Sequence, residues 1–136
     1  MVICNYLQPE NDLASINGFW LTQDRDAVVE IFQDNNEFFG RITWLEEPLD
    51  EKGFPKKDDN NPDAIKRDQL INGLIILNGF RTTNNKKWTG GTIYDPENGK
   101  TYSCTMKLQN DELKIRGFVG ISLLGRTEIW TRTNKP

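Results

Sequence analysis

Hydrophobic and polar side chains alternate with a period of two along much of the chain. Tyr102, Cys104, Met106 and Leu108 are separated by single polar residues, and the segment 112–117 repeats the pattern. Successive side chains of a β-strand point to opposite faces, so this period predicts strands with one apolar and one polar face. No segment after residue 17 shows a sustained helical period. The pattern therefore predicts an all-β protein.

Turn-forming residues interrupt the alternation at short intervals and divide it into strands. Asn98-Gly99, for example, is typical of a tight hairpin, because both residue types adopt positive φ angles at little steric cost. The predicted strands are Gly18–Thr22, Ala27–Gln33, Glu37–Leu45, Gln69–Asn78 with a continuation at Phe80–Thr83, Lys87–Tyr94, Lys100–Leu108, Glu112–Val119 and Gly125–Thr133.

Two stretches lie outside this strand pattern. Residues 1–17 are predicted to form an N-terminal tail, with a short helical turn around Asp12–Ile16. Residues 46–69 are polar and contain three prolines, which predicts one long loop. The remainder of the 136 residues, 18–136, is predicted to form a single domain.

Eight successive antiparallel strands with short connections favour an up-and-down β-barrel, because closure removes the exposed edges of an open sheet. The interior of such a barrel is wide enough for side chains or for one small ligand. Glycines within the strands are interpreted as sites of bending or close packing: Gly90-Gly91, Gly117, Gly120 and Gly125. A two-sheet sandwich is the structural alternative.

Composition narrows the classes of function. The chain is 36% hydrophobic and 27% charged, which is typical of a soluble globular protein. No apolar run approaches the length of about 18 residues that a membrane span needs. The net charge of −3 argues against a nucleic-acid partner, and the absence of histidine excludes Ser-His and Cys-His catalysis. We expect no enzymatic activity, no cofactor and no metal site.

Charge is distributed unevenly along the sequence. Residues 1–68 hold 15 acidic and 7 basic side chains, whereas residues 69–136 hold 5 acidic and 10 basic ones. One interpretation is an acidic surface loop together with basic residues on the outer faces of strands. The other is that some arginines of the later strands point at an anionic group.

Aromatic and arginine side chains of the second half are the first candidates for a binding site. Arg126, Glu128, Trp130 and Arg132 share one face of the last strand if that strand is regular. Such a face could hold an acidic head group while aromatic rings cover an apolar body, or it could combine surface charges with a structural tryptophan. The candidate ligand-binding residues are Trp44, Asp63, Arg67, Trp88, Tyr94, Tyr102, Arg116, Arg126 and Trp130.

The long loop contains a partial calcium-binding pattern. Asp59, Asn61 and Asp63 match the first three positions of a calcium loop, but Ala64 replaces its glycine and Leu70 its closing glutamate. Weak calcium binding and a solvated loop whose Asn and Asp side chains cap their own backbone remain the two alternatives.

The two cysteines are Cys4 in the predicted tail and Cys104 in a predicted strand. Their positions favour a buried free thiol at Cys104, with a Cys4–Cys104 disulfide as the alternative. No signal peptide is visible, because the apolar stretch Met1-Val2-Ile3 is too short for an export core.

Gly18-Phe19-Trp20 in the first strand and Arg132 in the last resemble a feature of the calycin superfamily, which includes the lipocalins. The resemblance implies that Gly18, Trp20 and Arg132 close the barrel, with the guanidinium stacked on the indole.

A wider set of motifs resembles the bacterial domain-of-unknown-function family 2147. The resemblance implies a small lipocalin-like barrel that is exported to the periplasm, and it places Asn61-Pro62-Asp63 and Arg67 in a family motif that forms a lid or an internal ion pair. The motifs are Gly18-Phe19-Trp20-Leu21-Thr22, Gly40-Arg41-Ile42-Thr43-Trp44-Leu45, Asn61-Pro62-Asp63, Gly73-Leu74-Ile75-Ile76-Leu77, Trp88-Thr89-Gly90-Gly91-Thr92-Ile93-Tyr94-Asp95-Pro96, Asn98-Gly99-Lys100-Thr101-Tyr102, Leu113-Lys114-Ile115-Arg116-Gly117-Phe118-Val119-Gly120 and Leu124-Gly125-Arg126-Thr127-Glu128-Ile129-Trp130-Thr131-Arg132.

These observations lead to two hypotheses about function. The first is non-enzymatic binding of a small apolar or acidic-headed ligand inside the barrel. The second is a protein-interaction or envelope-maintenance module whose barrel is filled by its own side chains, for which the 14 aromatic residues (Trp 4, Tyr 3, Phe 7) provide the material. An open lumen of several hundred Å3 would favour the first, since ligand pockets measure about 300–1,000 Å3.

Overall fold

The computed structural model describes residues 15–84, 86–119 and 121–134, without the side chains of residues 118, 119 and 121–125. These residues form eight strands and one short 3₁₀ helix, Ala64–Asp68. The strands are β1 (Gly18–Leu21), β2 (Ala27–Asp34), β3 (Glu37–Leu45), β4 (Ile75–Asn84), β5 (Lys87–Asp95), β6 (Lys100–Gln109), β7 (Glu112–Val119) and β8 (Ile121–Thr133).

The strands pair antiparallel in chain order and form a closed barrel. Closure occurs between the first and last strands, where Trp20 pairs with Arg132 and Phe19 with Thr133. The predicted up-and-down barrel is therefore confirmed, and the two-sheet sandwich is wrong. Among the described residues, no helix is both long and apolar enough to cross a membrane.

The alternating strand directions give the barrel two different ends. One end carries residues 15–17 and the turns that follow β2, β4 and β6; we call it the closed end. The other carries the turns that follow β1, β5 and β7 and the long loop between β3 and β4; we call it the open end.

The start of β4 differs from the prediction. The apolar run was predicted to be extended from Gln69, but the strand begins at Ile75 and continues through Gly79 to Asn84. The segment before it belongs to the loop: Leu70 pairs with Lys57, and the backbone N–H of Ile71 donates to the carbonyl of Lys56. A run of apolar residues is compatible with a strand and also with a loop segment that pairs with another part of the same loop. The pairing of Leu70 with Lys57 decides between them, and the apolar run does not reveal it.

Large side chains fill the closed half of the barrel. Trp20, Phe80 and Leu113 are fully buried, and Phe38 packs edge-to-face on Trp88 at 6.0 Å between ring centroids. The hydrophobic core as a whole also extends toward the open half, and its members are Ile16, Trp20, Val29, Ile31, Phe38, Ile42, Ile71, Ile76, Leu77, Phe80, Trp88, Cys104, Met106, Leu108, Leu113, Ile115 and Trp130. Apolar burial of this kind is the dominant stabilising term of a small domain.

Gly91 allows the barrel wall to approach this core. A Cβ atom at this position would lie 2.5 Å from the ring of Phe80 and 2.7 Å from the carbonyl oxygen of Asn78. No side chain larger than hydrogen fits there without displacing backbone, which agrees with the interpretation of this strand glycine as a close-packing site. Gly120 lies outside the described residues.

The end of the predicted tail takes part in the core. Ile16 is fully buried, and its carbonyl accepts a hydrogen bond of 2.9 Å from Trp20 Nε1. Asp12, and with it most of the predicted helical turn, lies outside the described residues, as does Cys4. Cys104 is a buried free thiol, and burial raises its pKa to about 12.

Candidate functional site

A half-open cavity of about 1280 Å3 extends from the open half of the barrel outward between the connections at the open end. Its deeper part is lined by aliphatic side chains from four strands and from the end of the long loop, which makes it apolar. These residues are Ile42, Ile71, Ile76, Ile93 and Ile115. Isoleucine at these inward positions provides a surface that offers no hydrogen bonds, so the floor of the cavity favours an apolar group.

Charged side chains surround the entrance to this cavity. Among the described residues, ten carboxylates line the cavity. One is Glu128 in β8, and we call the other nine the rim carboxylates: Asp24, Asp26, Glu46, Glu47, Asp50, Glu51, Asp59, Asp95 and Glu97. The cations in the lining are Lys52, Lys56, Lys57 and Arg126. The entrance is therefore predominantly acidic, whereas the five isoleucines of the floor carry no charge.

The inward face of β8 carries a hydrogen-bonded row of side chains. Arg126 Nη2 donates to Glu128 Oε2 at 2.9 Å, and Trp130 Nε1 donates to Glu128 Oε1 at 3.0 Å. Arg126 and Glu128 line the cavity, whereas Trp130 is buried below them in the core. Glu128 thus neutralises the cation that the sequence offered as an anchor for an acidic head group.

The long loop is anchored to the barrel wall by a buried carboxylate. Asp58 is fully buried and accepts hydrogen bonds from the Tyr94 hydroxyl at 2.7 Å and from Asn61 Nδ2 at 2.8 Å. Burial, and then the hydrogen bond to Asp58 and its charge, raise the pKa of Tyr94 from 10.0 to about 12. The phenol therefore stays protonated and keeps donating to Asp58 well above neutral pH.

A second anchor joins the loop to the turn between β5 and β6. Asn60 Nδ2 donates to the carbonyls of Pro96 and Glu97 at 3.1 and 3.0 Å. Gly99, with φ +74°, makes this approach possible, because a Cβ atom there would lie 1.9 Å from the carbonyl oxygen of Asn60. The predicted turn at Asn98-Gly99 is thus also a contact surface for the loop.

The segment 61–67 is held by hydrogen bonds of its own. Asp63 accepts from the backbone N–H of Ile65 as the N-cap of the 3₁₀ helix, and Arg67 Nε donates to the carbonyl of Asn61 at 2.7 Å. Within the described ranges, no group of three or more His, Cys, Asp or Glu side chains that could hold a metal ion occurs. Asp63 lines a smaller cleft of about 780 Å3 beside the loop.

The predicted ligand-binding residues are distributed over several environments. Tyr94, Tyr102 and Arg126 line the large cavity. Trp88 and Trp130 are buried in the core, and Arg116 donates to Thr127 at 3.1 Å on the outer face of the barrel. Trp44 is half-buried at the end of β3 and Arg67 lies in the loop, and neither is part of the cavity lining.

The three residues expected to close the barrel lie together at the closed end. The guanidinium of Arg132 stacks on the Trp20 ring, 4.4 Å from its centroid. It also donates to Asp111 and to the carbonyls of Asn17 and Ser15 at 3.1, 3.2 and 2.6 Å. A Cβ atom at Gly18 would lie 3.3 Å from Arg132 Nη1.

Sequence reasoning missed the isoleucine floor, the rim carboxylates and Asp58. Ile115 lies two residues after Leu113, so both side chains are on the apolar face of β7. This spacing was a signal that could have placed Ile115 in the lumen. Asp58 carried no such signal, because its burial depends on a loop that folds back onto Tyr94. The binding-site residues were predicted from the chemistry of their side chains, which selected aromatic residues and arginines. The position of a residue along its strand, however, decides whether its side chain reaches the cavity.

Comparisons with known proteins agree with this architecture. Protein HP1028 from the human pathogen Helicobacter pylori, described as belonging to the lipocalin family, is similar with a TM-score of 0.77. The match covers 88% of this chain and 84% of that one at 22% sequence identity, so the likeness concerns the fold alone. No curated protein matches the chain in sequence.

A family model matches most of the chain. It spans residues 18–132, from the first strand to the arginine that stacks on Trp20, and its family is described as an uncharacterised protein conserved in bacteria. The chain therefore belongs to the bacterial domain-of-unknown-function family 2147.

Proposed function

We propose that this lipocalin-like protein is a non-enzymatic carrier that binds a small, largely apolar molecule in the cavity of its open half. The cavity is the observation that supports the proposal: it measures about 1280 Å3 and has an isoleucine-lined floor. Ligand pockets typically measure about 300–1,000 Å3, so this one has room for a drug-sized molecule. The closed half supplies the stability, because its interior is filled by the protein's own side chains.

An acidic head group receives less support than an apolar body. Arg126, the arginine that lines the cavity, is already paired with Glu128, and Arg116 lies on the outer face. A carboxylate entering the cavity would also pass the rim carboxylates, which repel it. The apolar part of the ligand is therefore the part that the proposal rests on.

A titration with the neutral apolar dye N-phenyl-1-naphthylamine tests the carrier proposal. Delipidated protein is expected to enhance the dye's fluorescence saturably, at one dye per chain. Gly117→Leu fills the cavity, since a Cβ atom at Gly117 makes only ordinary contacts, 3.6 Å from Ile93 and 3.7 Å from Tyr102. We expect this variant to weaken dye binding about tenfold or more, because the added side chain occupies the volume that the dye needs.

Ser103→Leu is the matched control, because Ser103 is exposed on neighbouring strand β6. It adds a leucine to the same wall of the barrel without entering the cavity, so it should bind the dye as the parent protein does. Non-saturable dye uptake, or equal binding by Gly117→Leu and the parent, would overturn the carrier proposal.

A protein-interaction role is the second candidate, and exposed apolar side chains on the long loop favour it. Ile65 is 88% exposed, and Leu49, Phe54 and Leu70 are also exposed. Exposed apolar side chains that form a contiguous patch are typical of protein interaction sites. Phe54→Ser combined with Ile65→Ser should abolish co-purification of a native partner and leave dye binding unchanged if the loop serves this role.

We also propose that the protein acts in the bacterial periplasm. The support is the family resemblance, which implies an exported barrel. Fractionation of cells that make the protein from its natural gene tests the location, and recovery with the cytoplasmic fraction alone would exclude it.

A further inference from the structure

The rim carboxylates come from parts of the chain that are far apart in sequence. Asp24 and Asp26 lie in the turn between β1 and β2, and Glu46 and Glu47 directly follow β3. Other members come from the long loop and from the turn between β5 and β6. The fold thus gathers acidic side chains from three of the connections at the open end around one entrance.

Most of this negative charge is not neutralised by neighbouring cations. Across residues 15–84, 86–119 and 121–134, the ion pairs join Glu30 to Arg41, Glu37 to Arg81, Glu128 to Arg126 and Asp111 to Arg132. None of these involves a rim carboxylate. Three lysines also line the entrance, which leaves a clear excess of negative charge over the nine carboxylates.

Hydrogen bonds hold some of these carboxylates in place without removing their charge. Asp95 Oδ1 accepts from the backbone N–H of Glu97, and Asp50 Oδ1 accepts from the backbone N–H groups of Lys52 and Phe54. Like charges that surround one entrance reinforce one another, so the rim carries a negative potential.

The charge and the apolar surface occupy different depths of the cavity. The isoleucine floor lies inside the barrel, whereas the rim carboxylates lie on the connections of the open end, except Asp95, which is the last residue of β5. Tyr94 and Tyr102 line the cavity as well, and aromatic faces attract organic cations. A molecule that matches this order has an apolar tail that enters first and a positive charge that stays at the entrance.

We propose that the ligand of this cavity is an amphipathic organic cation, such as an aliphatic amine, whose chain lies on the isoleucine floor and whose ammonium group faces the rim carboxylates. The inference rests on the proposed carrier function and specifies the chemical class of its ligand. The sequence left open an acidic head group bound by arginine, and the inferred ligand carries the opposite charge.

Three ligands with the same ten-carbon chain test the charge preference: decylammonium, decanol and decanoate. Each competes with N-phenyl-1-naphthylamine at neutral pH and low salt. We expect decylammonium to bind about tenfold more tightly than decanol, and decanoate to bind more weakly than decanol, because the rim attracts one and repels the other. Raising the ionic strength to about 0.3 M should shrink both differences, since salt screens exposed charges.

A pair of charge-reversal variants separates the rim from the overall charge. Glu46→Lys with Glu47→Lys changes the entrance, whereas Asp34→Lys with Glu112→Lys makes the same change in net charge at exposed positions of the closed end. The first double variant should lose most of the preference for decylammonium over decanol. The second should behave as the parent protein does.

The outcomes distinguish this inference from the carrier proposal beneath it. If no ten-carbon ligand competes with the dye and the dye itself does not bind, the carrier proposal fails. If decanol binds but decanoate binds as tightly as decylammonium, the cavity is a carrier site without cation preference, and the inference is overturned. Equal effects of the two double variants would also overturn it, because the preference would then come from net charge alone.

Discussion

The two ends of the barrel use charged side chains in opposite ways. At the closed end, Arg132 stacks on Trp20 and donates to Asp111 and two backbone carbonyls. At the open end, the rim carboxylates surround a cavity and none of them joins an ion pair within the described parts of the chain. At the closed end an arginine is part of the packing, whereas at the open end the rim carboxylates carry charge that no cation of the described residues pairs with.

Side-chain volume follows the same division. Trp20, Trp88 and Trp130 are buried and fill the barrel toward the closed end, whereas isoleucines line the wider space toward the open end. Large aromatic residues contribute most of the buried area per residue, so stability is concentrated where no ligand enters. A barrel of this size can therefore keep a cavity in its open half, because the side chains that fill its closed half are sufficient to stabilise the fold.

The largest expected effect on stability comes from removing the Trp20 side chain at the closed end. Trp20→Ala should lower the free energy of unfolding by about 3–5 kcal/mol, because it removes a fully buried aromatic side chain and leaves a cavity. It also removes the ring on which Arg132 stacks. Urea denaturation followed by far-UV circular dichroism measures the change.

The same substitution at the open end is the control for this prediction. Trp44 is only half-buried at the end of β3, so Trp44→Ala should cost clearly less than Trp20→Ala. If Trp20→Ala does not fold, Trp20→Phe keeps most of the volume and loses the hydrogen bond to Ile16, at a cost of about 1 kcal/mol. Equal losses at Trp20 and Trp44 would contradict the division between the two ends.

The next effect concerns the anchor of the long loop. Asp58→Ala should lower stability by about 1–3 kcal/mol, because it deprives the Tyr94 hydroxyl and the Asn61 side chain of their shared acceptor. Hydrogen exchange should accelerate in the loop between β3 and β4 and stay unchanged at the closed end. Asp59→Ala, at the exposed neighbouring position, should change stability by no more than about 0.5 kcal/mol.

The third effect appears only at alkaline pH. Because the pKa of Tyr94 is raised in the fold, the stability that its neutral form contributes is complete below pH 10.0 and is lost as the pH rises to about 12. The parent protein should therefore lose more stability over this interval than Tyr94→Phe, which cannot ionise. Cys104 titrates in a similar interval in both proteins, so it cancels from the difference.

The difference in phenolate absorbance between the parent protein and Tyr94→Phe measures the ionisation of Tyr94, because the other two of the three tyrosines are common to both. Asp58→Asn removes the charge and weakens the acceptor beside the phenol, so the pKa of Tyr94 should move back toward 10.0 in that variant. Ionisation of Tyr94 at its ordinary value in the parent protein would show that the hydrogen bond to Asp58 does not hold the loop.

The barrel itself could be predicted from the sequence because its determinants are local. Period-two alternation and turn residues such as Asn98-Gly99 set strand positions, and six of the eight strands begin at their predicted residue. The exceptions are β8, which begins at Ile121 rather than Gly125, and β4, whose start depends on the pairing of Leu70 with Lys57 across the loop. Contacts between segments that are far apart in sequence produce no periodic pattern of hydrophobic residues, so the sequence does not reveal them.

The site was less predictable for the same reason. Tyr94, Tyr102 and Arg126 were selected for their chemistry and do line the cavity, but Trp88 and Trp130 have similar chemistry and are buried in the core. The acidic residues of the first half were visible in the composition. Their convergence on one entrance follows from barrel closure, which brings separate connections to the same end.

The smallest expected effect is that of an exposed ion pair at the closed end, Glu37 with Arg81 at 2.7 Å. Both side chains are substantially exposed, so a double-mutant cycle with Glu37→Gln and Arg81→Met should give a coupling of about 0.2–1 kcal/mol that falls as salt is added. Moderate salt should therefore change the stability of the parent protein little while it changes ligand selectivity at the entrance. A coupling well above this range would contradict the conclusion that exposed charge pairs contribute little to the stability of the closed end.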